Sequence, residues 1–108
     1  MGQFKRSLVI AMSSLILAPA AFAASPEVQF LYKTKCSSCH GMDGTGTPIG
    51  KKLGAPDFTM PAVMKVPDER LIGYITKGSG LMPSFKDSLK QDEIRNLVAY
   101  LRDFKKKK

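Results

Sequence analysis

Every cysteine and the only histidine of this chain fall within five consecutive residues, Cys36-Ser37-Ser38-Cys39-His40. No other feature limits the fold as strongly. Two thiols three positions apart at a helix end project to one side, and the imidazole that follows falls beneath whatever they hold. Four uses compete for such a cluster. A redox dithiol needs a βαβ frame, and no strand alternation occurs anywhere in the chain. Zinc takes four ligands; three are on offer, with no second cluster to complete the set. A plain disulfide would span a tight step and leave His40 without a role. Covalent haem attachment employs all three side chains: each thiol adds to one vinyl group and the histidine reaches the iron.

The N-terminal segment adds a compartment. Lys5 and Arg6 precede an apolar run from Ser7 to Leu17; Pro19 breaks it, and Ala21-Phe22-Ala23 sets small residues at the A-x-A positions. This is the order of a secretory signal peptide. The run is short of the ~20 residues a bilayer span needs. The expectation is therefore a signal peptide over residues 1–23, cleavage after Ala23, export to the periplasm, and no stable membrane insertion afterwards. Residues 24–108 remain as one domain, 85 of the 108. A core that small is marginal alone, and a large apolar cofactor would stabilise it more than a single disulfide. The net charge of +8 falls by two, to +6, when Lys5 and Arg6 leave. That balance favours acidic partners and says nothing about fold. Nucleic acid is not expected as a partner for an exported haem protein.

Helix signals recur at three places. Ser25-Pro26-Glu27 combines a capping serine, proline at the first position and an acid in the first turn, with Val28, Leu31, Tyr32 and Lys35 at helical spacing up to Cys36. Between Gly41 and Pro61, eight glycines and prolines exclude any long element. A loop of that length in a small domain usually wraps something. Pro67-Asp68-Glu69 opens a second helix with Leu71, Ile72 and Ile75 on its apolar stripe, closed by Gly78 and Gly80. Ser88–Gln91 reads as a capping box before Ile94, Leu97, Val98 and Leu101, at i, i+3, i+4 and i+7.

An iron held by one histidine keeps a free axial position, and no second histidine exists to fill it. Methionine is the common partner. Met42 follows His40 too closely to cross the ring. Met60 and Met64 read as gap-filling core residues. Met82 precedes Pro83, which stiffens the backbone and suits a strap holding a sulfur against iron.

Residues 27–104 resemble the class I c-type cytochromes, the small monohaem kind near the cytochrome c6 and bacterial c551–c553 groups. The stretches that carry the resemblance are LYKTKCSSCHGMDGTG (31–46), GSGLMPSF (78–85) and DEIRNLVAYL (92–101). It implies an all-α cytochrome c fold, three to four short helices wrapped around one covalently attached haem c. By the resemblance Cys36 and Cys39 carry the thioethers, His40 is the proximal ligand and Met82 the distal one. Tyr32 and Tyr100 fall where the first and last helices cross, and the Pro48 carbonyl is the candidate to orient His40. Two positions depart from the pattern: Val28 stands where glycine is frequent, and Lys90 where a Ser or Thr cap is usual, so the cap is expected at Ser88 or Asp87.

With both axial positions filled, oxygen and peroxide chemistry have no open site, and no spare histidine serves as acid or base. Asp43, Asp57, Asp68 and Asp87 read as caps and turn formers. The expected function is one-electron transfer by a monomeric carrier, not an enzyme. Its redox partners would carry acidic docking surfaces, met by Lys33, Lys35, Lys51, Lys52, Lys77 and Lys86. Two alternatives are a haem-based gas-ligand binder or sensor with a labile methionine, and a haem subunit of a larger membrane oxidoreductase.

Overall fold

The computed structural model describes residues 25–104; residues 1–24, with the expected signal peptide and its cleavage site, and the terminal lysines lie outside them. Six helical segments follow one another: α1 Pro26–Lys35, α2 Ser37–His40, α3 Pro48–Lys52, α4 Pro61–Met64, α5 Asp68–Lys77 and α6 Gln91–Arg102. Among the described residues the only β pairing is an isolated bridge between Ser79 and Met82. The all-α class is as expected. The helix count is higher than the expected three to four, because α2, α3 and α4 are single turns too short for any periodic signal.

Helix α1 starts as its sequence dictates. The Ser25 Oγ accepts from the Val28 N–H at 3.3 Å, Pro26 supplies the first helical φ, and Glu27 opposes the positive end. Helix α5 sets Asp68 and Glu69 in its first turn and buries Leu71, Ile72 and Ile75. It ends at Gly78, whose φ of +85° favours glycine. A Cβ there would lie 2.8 Å from the Met82 carbonyl oxygen, so the bare backbone lets residues 79–84 fold back tightly.

Helix α6 is the spine. Ile94, Leu97, Val98 and Leu101 are all buried, each contributing roughly 1.5–3 kcal/mol over exposure. The helix packs on α5 and on α1. At the crossing with α1 the Tyr32 and Tyr100 rings lie 5.2 Å apart, as the resemblance implies, and Phe104 closes the cluster 5.3 Å from Tyr32. Val28 is 3% exposed in this core, so the branched side chain is accommodated at the position where glycine is frequent.

The start of α6 differs from expectation. The cap is Lys90, not Ser88 or Asp87. Lysine has no acceptor, so its side chain satisfies no helix N–H. Glu93 supplies the other half of a capping box: its Oε1 accepts from the Lys90 N–H at 2.8 Å.

Arg102, in the last turn of α6, joins three segments. Its Nη2 donates to the Val66 carbonyl at 2.6 Å, and its Nη1 to the Met64 carbonyl at 3.1 Å. Its Nε and Nη2 converge on Asp68 Oδ1 at 3.0 and 2.6 Å. The carbonyls left open at the end of α4 thereby gain donors, and α5 is pinned by its first residue. By contrast, the Arg95–Glu69 pair at 2.9 Å is exposed on both sides and contributes about 0–1 kcal/mol. We expect Arg102→Ala to cost about 1.5–3 kcal/mol of holoprotein stability in urea unfolding, and Arg102→Lys to recover only part of it, because an ammonium cannot span the fork. An unchanged midpoint for Arg102→Ala would refute the clamp.

Candidate functional site

The turn carrying the cysteines is held from behind by the loop that follows it. Helix α2 is one turn long, so its last carbonyls have no helical partners. Each finds a donor elsewhere. Thr47 Oγ1 donates to the Ser38 carbonyl at 2.8 Å. The Thr47 N–H donates to the Cys39 carbonyl at 2.9 Å, and the Gly46 N–H to that of His40 at 2.8 Å. The buried Tyr32 hydroxyl donates to the Gly41 carbonyl at 2.7 Å. Thr47 also caps α3, its Oγ1 accepting from the Gly50 N–H at 3.0 Å. The approach of α3 to α2 is closer than side chains allow: a Cβ on Gly50 would sit 1.8 Å from the Cys39 carbonyl oxygen.

Asp43 and Asp57 build turns. Each takes hydrogen bonds from the threonine two residues on, Thr45 and Thr59, through both its N–H and its hydroxyl. Those bonds hold both carboxyls below the ordinary aspartate range. Asp68 anchors Arg102. These are the structural roles expected of them.

In front of α2 lies a cleft of about 620 Å³, lined by Cys36, Cys39, His40 and Met82. The rest of its wall is mostly apolar and includes Leu53, Phe58, Val63, Val66, Leu71, Tyr74, Ile75, Leu81 and Phe85. The volume falls within the ~300–1,000 Å³ of ordinary cofactor pockets. Both thiols are free. Burial pushes the Cys36 thiol up to about 11, and Lys35 pulls weakly the other way. Burial also lowers the His40 imidazole from its ordinary value, favouring the neutral form that ligates a metal. Among the described residues no three His, Cys, Asp or Glu side chains form a metal cluster.

Of the four methionines considered, Met82 alone lines the cleft. Its backbone is held by reciprocal bonds with Ser79, at 3.1 and 2.9 Å, and the following turn by the Phe85 N–H donating to the Ile75 carbonyl at 3.0 Å. Ser84 Oγ ties the same turn to the Thr76 carbonyl at 2.6 Å. Met42 and Met60 are 57% and 51% exposed. Met60 and Met64 do not fill the core as expected; α4 packs Val63 inward instead. The six lysines are all exposed, and Lys35 lines the cleft.

Two observations test whether haem suits this cleft. Two thiols, an imidazole and a thioether open on one apolar space, the donor set for two thioether links and two axial bonds. In addition, His40 Nδ1 is the one buried side-chain polar atom without a partner among the described residues. With Nδ1 buried, the other ring nitrogen of the neutral imidazole is the one left to ligate a metal. The residues fit the group. The expected hydrogen bond from Nδ1 to the Pro48 carbonyl is not formed. Pro48 begins α3, and the imidazole is stacked on Phe58 instead, with ring centroids 4.6 Å apart.

The profile of the family described as cytochrome c oxidase, cbb3-type, subunit III matches residues 23–101. Cytochrome c55X of Stutzerimonas stutzeri is 33% identical over 99 residues, covering 84% of this chain and 82% of its own. The chain belongs to the small class I c-type cytochromes. Cytochrome c6 of Nostoc sp. is 29% identical over 83 residues, covering 77% of this cytochrome and 73% of the relative. The solved structure of KustC0563 c-type cytochrome superposes with a TM-score of 0.68 at 39% identity, covering 71% of this chain and 95% of the other. The cytochrome is an electron-transfer protein with covalently bound haem c, acting with redox partners.

Sequence reasoning did not find three residues that shape the site. Thr47 carried a usable signal, since Thr-Pro at 47–48 repeats the Ser-Pro of 25–26. Gly50 and Phe58 carried none: one glycine and one aromatic in a loop do not reveal what they touch. We expect Gly50→Ala to destabilise the holoprotein by about 3 kcal/mol or more, because the overlap is with backbone rather than a movable side chain. A urea midpoint within error of the parent would overturn that close approach.

Proposed function

We propose that this cytochrome is a periplasmic, monomeric one-electron carrier whose haem is linked through Cys36 and Cys39 and ligated by His40 and Met82. The observation that carries the reading is that Met82 alone of the candidate methionines shares the apolar cleft with both cysteines and His40. Haem supplies a one-electron Fe(II)/Fe(III) couple. The chain supplies the rest. The α2 turn is braced by Tyr32, Thr47 and α3, and the Met82 turn by α5, so neither ligand need move when the electron does. Were His40 and Met82 both to hold the iron, no position would be left on it for a substrate, which supports a carrier rather than an enzyme. The leader sequence supports export with cleavage after Ala23, and no helix among the described residues is long and apolar enough to cross a membrane.

A second reading has one specific support. The matched family is described as an oxidase subunit, and a haem subunit of a membrane oxidoreductase would also transfer electrons. Such a subunit would copurify with its complex; the free carrier would elute alone.

The ligand assignment is tested by absorption spectra of both oxidation states with and without CO. The intact mass of the exported protein reads haem addition and the mature terminus together. The parent should resist CO, and Met82→Ala should bind it rapidly when reduced, with loss of the methionine–iron charge-transfer band. A parent that takes CO as readily as Met82→Ala would sink the methionine ligand and favour the gas-binding alternative.

The exposed lysines suit an acidic partner. Electron exchange with an acidic redox protein should slow about tenfold or more as ionic strength rises from about 10 to about 150 mM, since screening shortens the reach of the field. A salt-independent rate would remove the steering role.

A further inference from the structure

We infer that Ser84 is the positioning residue of the distal ligand: its hydroxyl fastens the turn that carries Met82 to α5 and so sets how readily that sulfur leaves the iron. This rests on the reading that Met82 ligates the haem iron. The hydroxyl donates to the Thr76 carbonyl at 2.6 Å and accepts from the Lys86 N–H at 3.2 Å. One short side chain just past Met82 thus joins the turn both to the helix before it and to the chain that leaves it.

The last turn of a helix leaves carbonyls without helical partners. At the end of α5 the Met82 loop supplies donors for them. The Gly78 N–H donates to the Tyr74 carbonyl at 2.8 Å, and the Phe85 N–H to that of Ile75 at 3.0 Å. Ser84 takes the Thr76 carbonyl between them. The chain therefore leaves and returns to the same helical turn, and residues 78–85 close into a loop with Met82 inside it. The root of that loop is itself fixed. The Thr76 hydroxyl donates to the Ile72 carbonyl at 2.7 Å and accepts from Gln91 Nε2 at 3.1 Å, which ties the root to the start of α6. Within the loop, the Met82 N–H and carbonyl pair with Ser79 at 2.9 and 3.1 Å, and Pro83 has no N–H to give. The bonds from Gly78 and Phe85 are backbone bonds and do not depend on a side chain. The bond from Ser84 depends on one hydroxyl.

That difference bears on the ligand. A thioether leaves the iron and stays away when the backbone carrying it swings outward. On the entry side the Met82 carbonyl packs against Gly78, where a Cβ would lie 2.8 Å from its oxygen. On the exit side Ser84 is the fastening. Ser84 is exposed, so its bond can open to water without disturbing the buried core, and the loop can open locally while the rest stays folded. A hydrogen bond of ordinary strength shifts such an equilibrium about fivefold.

The test uses the holoprotein. The methionine–iron charge-transfer band of the ferric parent first reads the ligation; its absence would overturn this inference together with the Met82 assignment. With the band present, the variants bear on Ser84 alone. Free imidazole added to the ferric protein competes with the thioether, and loss of the band reads the open fraction. Saturating CO reads the rate at which Met82 leaves the ferrous iron. We expect Ser84→Ala to raise both the apparent imidazole affinity and the limiting CO rate about fivefold. Ser84→Thr keeps the hydroxyl and should retain both parental values. Ser84→Val has nearly the shape of Ser84→Thr without the hydroxyl and should behave as Ser84→Ala. Val28→Ala loosens the buried core from α1 and should lower the urea midpoint with neither ligand readout changed. Parental values in Ser84→Ala would overturn the inference. So would a Ser84→Thr that behaves like Ser84→Val, or an equal change in Val28→Ala, which would mark general loosening.

Discussion

The carbonyls of Ser38 to Gly41 are the groups on which the rest of this molecule depends. A one-turn helix cannot satisfy its own end, and C-x-x-C-H leaves room for only one turn before Gly41. Donors from Gly46, Thr47 and Tyr32 complete it. Two of the three lie in the loop that follows, and the third is on α1, so the turn is tied to chain on both sides. Gly50 then brings α3 against the Cys39 carbonyl more closely than any side chain permits. The result is a rigid back wall. A carrier benefits from this, because any ligand displacement between oxidation states would add to the barrier for transferring the electron.

The part of the cleft wall that carries Met82 is built by different means. Met82 sits in a tight turn with Ser79, hung from the C-terminal half of α5 by Ser84 and Phe85. What fixes the distance between the two walls is α6, which packs on α1 and on α5, while Arg102 holds the 63–68 connection to it. The spine thus serves the site without touching it except at Leu101. Losing Arg102 would be felt through geometry, whereas losing Gly50 would strike the wall itself.

How much of this was readable in advance follows from what each residue signals locally. The three long helices were legible because capping chemistry and apolar stripes repeat within one segment: Ser25-Pro26, the Leu71–Ile75 stripe, Ile94 through Leu101. The cofactor was legible because C-x-x-C-H compresses its chemistry into five positions. The cap of α6 was misread for a definite reason. The rule looks for an acceptor at the cap, and Lys90 has none, but the reciprocal bond from Glu93 needs only a backbone N–H. The helices α3 and α4 escaped because four or five residues carry no period. Met60 and Met64 were assigned to the core on composition, while α4 is anchored by Val63. The ring that stacks on His40 was not readable, because nothing in one phenylalanine of a loop announces which neighbour it will face.

The apolar content of the cleft explains why so small a chain can hold its shape. The buried core lies mainly along α1, α5 and α6. Leu53, Tyr74 and Leu81 instead line the cleft and are 46%, 41% and 72% exposed in the protein part alone. Left to water, those surfaces oppose folding. Covered by a flat apolar ring, they become a second core at about 25 cal/mol per Å² of area removed from water. Covalent attachment matters for the same reason. A group tethered to the chain is present at high effective concentration and cannot leave when its iron changes charge. The five-residue motif thus specifies a redox centre and completes a hydrophobic interior that so small a chain leaves unfinished.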